Sequence, residues 1–306
     1  MDYKIITDIQ DAKKIWNLLS PHKTIDDEWD FRYTFLRHLP YELYFVVGYE
    51  NGKISTLLPL QKNNGEGLMP PYASKDKAPF YEFFGGDDTD DNTLLGKQLP
   101  FEEFKPYLSL PTYLAPLHSM YENDQNASYY ESRYFIDVSN YTSFEDFLRD
   151  KWSKDSRKKI LQQIRGVYRN HEVKIIENNY EDIDRLSQFN IKRFGDKSSF
   201  IFPYRAQIFK ELTKLYTVVM LTVVVDGVKE AVSYGIKYKD TYVGMNAGVS
   251  GKITDLPKLL IMLQIDKTIQ LGCKTYDAGK GDSGWKESYK LDKISQYKIS
   301  LIPQDS

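Results

Sequence analysis

VVMLTVVVDGVKEAVSYGIKYKDTYVGMNAGVS, residues 218–250, decides the fold. It holds three runs rich in Val, Ile, Tyr and Thr, divided by Asp226-Gly227 and Lys239-Asp240, polar breaks that reverse a chain between antiparallel neighbours. Three strands in a meander are therefore expected. A helix follows: DLPKLLIMLQIDKTIQLG places Pro257 in the first turn and Gly272 at the end, with Leu256, Leu259, Leu263 and Ile269 read as one apolar face. CKTYDAG then predicts a strand, GWKESYKL a short helix and ISQYKISLI a last strand.

Toward the amino terminus, SFEDFLRD and DSRKKILQQIRGVYRN have helical spacing and HEVKIIE reads as a strand. EDIDRLSQFNIKRFG and PYRAQIFKELTKLY are helical, the second with Pro203 suited to its first turn. The first half opens with two more amphipathic helices, one with Ile9, Ala12, Ile15, Trp16 and Leu19 in register and one with Trp29, Tyr33 and Leu36 before Pro40. YELYFVVGYENGKISTLLPLQ is then a hairpin, because Asn51-Gly52 supplies the positive φ of a type I′ turn. VVGYENGKISTLLPL matches LTVVVDGVKEAVSYGI, so the chain reads as a weak internal duplication with a boundary between 125 and 142. This gives an N-terminal domain over 1–140 and a C-terminal domain over 141–306. Residues 76–103, with eight acids against Lys77 and Lys97, read as a surface loop of the first.

At 306 residues the chain exceeds the roughly 250–300 at which one core stops growing. Its 41 basic and 43 acidic residues leave a net charge of -2, with no global pull toward nucleic acid or an anionic membrane. The single Cys273 excludes an intramolecular disulfide and a multi-Cys metal site, and reads as a small core residue at a strand start. The opening MDYKIITDIQDAKKIW has acids where a secretion signal needs a basic patch, and no apolar run nears the ~20 residues of a membrane span. A cytoplasmic protein without membrane insertion is expected. The four histidines are scattered, so no metal is expected; Asp88-x-Asp90-x-Asn92 fails as a calcium loop, with Thr93 for Gly at its sixth position and Leu99 for Glu at its twelfth.

DAGKGDSGWKES, residues 277–288, has Gly279, Gly281 and Gly284 in the G-x-G-x-x-G spacing of a dinucleotide turn. Such a turn must be followed by a crossover helix and further parallel strands, and only 22 residues remain. Trp285 also stands where a P-loop needs lysine. The other dense signal is KWSKDSRKKILQQIRGVYRN, residues 151–170, with seven cations against Asp155. Lys151, Lys154, Lys158, Arg165 and Arg169 form a stripe opposite Ile160, Ile164 and Val167, either a solvated helix face or a polyanion site.

Meander, long apolar helix, strand and the closing Y-D-x-G-x-G-D-x-x-x-K of residues 276–286 together resemble the GNAT acetyltransferase superfamily. They are most similar to its tandem-domain branch, which includes the Fem-like aminoacyltransferases of peptidoglycan bridge synthesis and related acyltransferases of envelope metabolism. The resemblance is clearest over 150–292; in the first half FFGGDDTDDNTLL is similar to the corresponding segment of such proteins. It implies a mixed α/β chain of two tandem GNAT-like domains, each a mostly antiparallel twisted sheet flanked by helices, the first degenerate. It also implies acetyl-CoA or another acyl-CoA as donor. The pantetheine arm would enter a V-shaped opening between the fourth and fifth strands, over residues 242–250. The pyrophosphate would rest on amides of 251–255 and of the helix from 256, where unpaired N–H groups and the helix dipole favour an anion. Gly248, Ser250, Gly251 and Leu256 are the implied cofactor-binding positions, with Arg157 and Lys158 as phosphate contacts. The family's Gln/Arg-x-x-Gly-x-Gly/Ala loop is absent here, and Asp255 adds negative charge. Fem-like members use aminoacyl-tRNA, so tRNA is the alternative donor, with the basic helix meeting its phosphates. A non-catalytic module is the third reading.

Acyl transfer needs a neutral nucleophile, donors for the oxyanion and an acid for the leaving group. Asp277 is the candidate base or substrate-orienting carboxylate, with Asp282 the runner-up; both equally suit caps of the turn and short helix. Lys286 is the candidate to hold an anion or stabilise developing charge, assisted by Lys280, and Tyr289 the acid. Asn246 among small residues suits a cleft, because an unpartnered amide in an apolar core is costly. Gly279 belongs to a flexible corner that lets backbone approach substrate. The expected reaction moves an acyl group to an amine or hydroxyl of a sugar, amino-acid or cell-envelope precursor.

Overall fold

Asn51 and Gly52 take φ of 52° and 73°, the conformation their turn demands, and around that hairpin the first half of the chain assembles. A computed structural model describes residues 1–39, 41–65, 78–281 and 284–302, and divides the chain into two units. One is Met1–Arg133 with the last strand from Ile294; the other is Tyr134–Lys293. The order of elements along the chain assigns that last strand to the second half, whereas its contacts lie in the first.

The first unit opens with β1 (Asp2–Ile6), a strand that the five residues DYKII are too short to announce. α1 (Ile9–Leu19) begins where the Asp8 carboxylate accepts from the amides of Gln10 and Asp11, both at 2.9 Å. Such a cap contributes ~1 kcal/mol. α2 (Trp29–Arg37), β2 (Glu42–Glu50), β3 (Lys53–Asn63), β4 (Phe80–Phe83), β5 (Leu95–Gly96) and β6 (Thr112–Leu117) follow, and β7 (Ser128–Asp137) then runs across the boundary between the two units. Phe45 and Val47 of β2 pack with Trp16 and Trp29, while Val46 packs with Phe83 and Phe104. Both faces of the sheet are thus covered, which is why LYFVVGY is almost continuously apolar.

The second unit runs through α3 (Phe144–Lys151), α4 (Lys154–Asn170), β8 (Val173–Glu177), α5 (Ile183–Phe194), α6 (Pro203–Leu215), β9 (Thr217–Val225), β10 (Val228–Tyr238), β11 (Thr241–Val249), α7 (Leu256–Gln270), β12 (Thr275–Lys280) and α8 (Gly284–Ser288). β13 (Asp292–Leu301) ends the described chain. Each unit repeats one strand order: β1-β2-β3-β4-β6-β13 in the first and β8-β9-β10-β11-β12-β7 in the second. In both, the first three pairings are antiparallel and the fourth, β4 with β6 or β11 with β12, is parallel. Two helices separate the first two strands of each copy. Both units are therefore mixed α/β with mostly antiparallel sheets, and the hairpin match reflects a duplicated topology.

Two expectations change. The acid-rich segment is only in part a surface loop where it is described: Gly96, Lys97, Gln98 and Glu103 are exposed, but Phe80, Tyr81, Phe83 and Phe84 are buried, as are Glu82 and Asn92. Arg32, fully inside the first unit, donates to the Phe84 carbonyl and the Asn92 side chain at 2.6 Å each, while the Glu82 carboxylate accepts from Gln61 and Asn63. A buried guanidinium collects carbonyls and polar side chains, and such segments look hydrophilic in sequence. Asp76 and Lys77 lie outside the described residues. On α7 the buried residues are Leu256, Leu259, Leu260, Gln264, Ile265 and Thr268. Leu263 and Ile269 sit at the margin of the core, because the helix buries polar Gln264 and Thr268 in their place.

Candidate functional site

The site begins with a fault in the sheet. β10 and β11 pair in register until Tyr234 faces Asn246 and Gly235 faces Gly244, leaving Met245 as an extra residue on β11. A bulge of this kind bends its strand. On the far side, β11 and β12 pair through three positions only, Thr241 with Thr275, Tyr242 with Tyr276 and Val243 with Asp277. Both strands continue, β11 to Val249 and β12 to Lys280, so beyond Val243 and Asp277 they diverge. Gly244 stands at the apex, where an added Cβ would meet the Asp277 carbonyl at 3.3 Å and the Tyr276 ring at 3.4 Å. The bulge thus opens a wedge whose free edge is the backbone of residues 244–249.

One face of the wedge belongs to α7. The Tyr276 hydroxyl donates to the Gln264 side chain at 2.5 Å, pinning β12 to that helix. The other face belongs to α5. Asn190, buried on that helix, donates to the Asn246 side-chain oxygen at 2.8 Å, and Lys192 donates to the Ser250 carbonyl at 2.9 Å. Gly248 permits this approach: its missing Cβ would lie 2.7 Å from the Phe189 Cβ. Its lack of a side chain serves that packing. Asn190 and Lys192 were not singled out from sequence; the available signal was a polar Asn190 one helical turn from Leu186 on the apolar face of α5.

Beyond β11 the chain turns through Gly251, φ 79°, toward α7. The Ser250 amide donates to the Glu230 carbonyl and its hydroxyl accepts from the Lys252 amide. Among the described residues none accepts from the amides of Gly251, Thr254 or Asp255. Leu256 differs from expectation: its amide donates to Ile253 and its side chain is fully buried in the core, so it offers a ligand neither. Asp255 pairs with Lys258 at 2.6 Å.

At the other wall β12 ends in the glycine corner. Gly279 and Gly281 have φ of 70° and 104°, which glycine adopts without strain, whereas Gly284 begins α8 in open space. The spacing that mimics a dinucleotide fingerprint is a strand-to-helix turn. The buried Asp277 accepts from the Gly279 amide at 2.9 Å. Lys286, also buried, donates to the carbonyls of Gly279 and Lys280 at 2.9 and 2.6 Å and sits 5.1 Å above the Tyr134 ring. Lys280 is half-buried at the corner itself. Tyr289 is buried against Trp152 and Trp285, and its hydroxyl has no partner among the described residues. Burial, then the Asp255 charge, pushes its proton affinity well above the usual phenol range.

The wedge therefore gathers Asn246, Ser250, Gly251, Asp277, Gly279 and Lys286. Arg157 and Lys158 on α4 make no polar contact with residues 250–256 among the described residues. Asp282 lies outside the described residues. Cys273 is buried and free. No described group of three His, Cys, Asp or Glu side chains is placed to hold a metal, and no described helix is long and apolar enough to cross a membrane.

The first unit repeats the strand order, and among its described residues the gap beyond the paired positions is bridged by its own chain. β4 and β6 pair at Tyr81 with Thr112 and Glu82 with Tyr113, after which the chain's own Asn92 bridges to Leu117 and donates to the Pro116 carbonyl at 3.0 Å. Where the second unit has α7, the first has β5 and the 3-10 turns of Phe101–Tyr107.

Residues 154–287 match the model of an acetyltransferase (GNAT) domain. Solved structures share the fold across nearly the whole chain. FemX matches with a TM-score of 0.57 at 8% identity, covering 99% of this chain and 97% of its own. A tandem GNAT protein from the clavulanic acid biosynthesis pathway gives 0.56 at 10% identity, covering 99% and 100%. L-PGS from Bacillus licheniformis gives 0.55 at 10% identity, covering 98% and 93%. No curated protein matches the sequence.

Proposed function

From the match of residues 154–287 to the model of a GNAT acetyltransferase domain, we propose an acyltransferase that moves an acyl group from acyl-CoA to an amine or hydroxyl of a sugar, amino-acid or cell-envelope precursor. The observation that carries this reading is the early end of pairing at Val243 and Asp277 while both strands run on. Exposed strand edge can receive the amide groups of a pantetheine arm as a neighbouring strand would. The amides of Gly251, Thr254 and Asp255 then face the pyrophosphate at the start of α7.

Asp277, last of the paired residues, orients the acceptor and takes the proton that its amine or hydroxyl loses on attacking the thioester carbonyl. The carbon–sulfur bond breaks as the tetrahedral intermediate collapses. Tyr289, whose hydroxyl keeps its proton at neutral pH, supplies one to the departing thiolate. Lys286 holds the corner so that Asp277 and Gly279 keep their places. Calorimetric titration with acetyl-CoA tests the assignment. Binding is expected for the native chain and lost in Gly244→Val, which puts a branched side chain at the apex, with circular dichroism confirming the fold. Binding that survives Gly244→Val, or none in the native chain, refutes it.

A second reading has support in Asp255, whose carboxylate opposes a pyrophosphate at the first turn of α7, partly offset by Lys258. An aminoacyl-tRNA donor, as in Fem-like enzymes, avoids that repulsion and would use the exposed cations of α4. It predicts RNA binding whose logarithm falls linearly with that of the salt concentration, with a slope set by the number of phosphates contacted, and which weakens when Lys154, Lys158 and Arg169 become Glu.

A further inference from the structure

The contact between α5 and β11 fixes more than a distance. Asn190 Nδ2 lies 3.3 Å from the Leu186 carbonyl and 2.8 Å from the Asn246 side chain. A carbonyl can only accept, so the Asn190 atom beside it must be the NH2 group. That same NH2 then faces Asn246, whose oxygen must point back at it. The orientation of Asn246 follows without choice: oxygen toward α5, NH2 away from it. Asn246 is half-buried and donates to no described residue, whereas Asn190 is buried on the helix.

We infer that Asn246 presents its NH2 group as a hydrogen-bond donor on the α5 side of the wedge, and that Asn190 is the positioning residue that sets this polarity. The site then selects an acceptor amine that carries a carbonyl or hydroxyl oxygen close to the amine. This deepens the acyltransferase reading and rests on it for the role, though not for the geometry. Asn246 lies on the free stretch of β11, beyond the bulge at Met245 and across the sheet from α7, where the donor's phosphates would lie. Lys192, two residues on along α5, ties the Ser250 carbonyl and fixes the end of the same stretch. A donor held by a single preset partner discriminates through its own hydrogen bond, about five- to tenfold for a neutral pair.

Side-chain amide resonances of the 15N-labelled full chain provide the test, with glycinamide and propylamine as probes that differ in the oxygen. The Asn190 NH2 is expected to be protected from hydrogen exchange and the Asn246 NH2 to exchange freely and to shift with glycinamide but not with propylamine. Reversed protection, equal shifts with both amines, or a shift with neither overturns the inference. With acetyl-CoA present and thiol release as readout, Asn246→Leu should lower the ratio of kcat/KM for glycinamide to that for propylamine about five- to tenfold. Asn190→Ala should raise the glycinamide KM by a similar factor with kcat held, a split that general loosening would not give. Absence of turnover with any amine counts against the acyltransferase reading, and the resonance shifts still decide the role of Asn246.

Discussion

Replacing Lys286 by Met isolates the charge from the shape of the corner. Lys286 is 4% exposed, and its ammonium makes two bonds to backbone carbonyls, at 2.9 Å to Gly279 and 2.6 Å to Lys280. Each such charge-assisted bond contributes about 1.5–3 kcal/mol, and the cost of burying an ammonium offsets several kcal/mol of that sum. Met keeps the stem and removes that cost, but strands two carbonyls in a turn with positive φ at Gly279 and Gly281. A net loss of about 2–3 kcal/mol follows, or roughly 5–10 °C in Tm for a unit of this size. Function should suffer more than stability, because a displacement of ~1 Å at Asp277 costs about 100-fold in rate. Thermal unfolding, thiol release from acetyl-CoA, and amide exchange over 279–281 measure the three effects. Lys286→Arg, which keeps a donor, is expected to lie between. A Met variant that melts within about a degree of the native chain and turns over normally would refute the corner's dependence on this side chain.

Two further outcomes concern stability. Asp26 is buried in the first unit, and burial, reinforced by Asp90 and opposed by Arg133, raises its carboxyl from 3.8 to about 7. The folded state thus holds a proton that the unfolded chain has released between those values, so its contribution is fully present below pH 3.8 and is lost as pH rises through about 7. The loss is about 4 kcal/mol at most, and Asp26→Asn should flatten the profile in denaturant titrations between pH 4 and pH 8. Gly248→Val drives a side chain into Phe189, whose Cβ lies 2.7 Å from where the new Cβ must sit, and should cost about 1–3 kcal/mol by overpacking. An unchanged midpoint in guanidinium would show that α5 does not press on β11 there.

The elements that sequence disclosed are those whose signals are local. Asp226-Gly227 and Asn51-Gly52 state their turns outright, and both carry the positive φ that the dipeptides imply. Pro203 and Gly272 likewise mark helix ends by backbone chemistry alone. The wedge is of another kind. Nothing in YVGMNAGV says that Met245 is the residue left over, because a bulge is a relation between two strands and depends on the register of β10 as much as on β11. Acidity misled in 76–103, since Arg32, far off in sequence, holds Phe84, Asp91 and Asn92 to the first unit's interior by supplying donors. Asn190 was visible only as a polar residue on an apolar stripe, and its role appears once Leu186 and Asn246 are placed around it.

The duplicated topology gives the strongest argument for where chemistry resides. Both copies contain a fourth strand that pairs only briefly with the fifth, over two positions in the first unit and three in the second, so brief parallel pairing is a property of the fold. What distinguishes them is the chain that follows. In the first copy it returns through Gly85 and Gly86 to put Asn92 against Leu117, and Arg32 locks that segment with bonds to Phe84, Asp91 and Asn92. In the second it leaves through Gly251 and enters α7 at once, with Pro257 in the first turn removing a donor that would otherwise need a partner. A gap filled by its own chain has its backbone groups satisfied and nothing to offer a ligand. A gap bordered by unpaired strand edge and helix-start amides leaves those groups to water, and a bound molecule takes the place of that water with hydrogen bonds of its own. Among the described residues the second unit keeps such groups on offer, and the first does not.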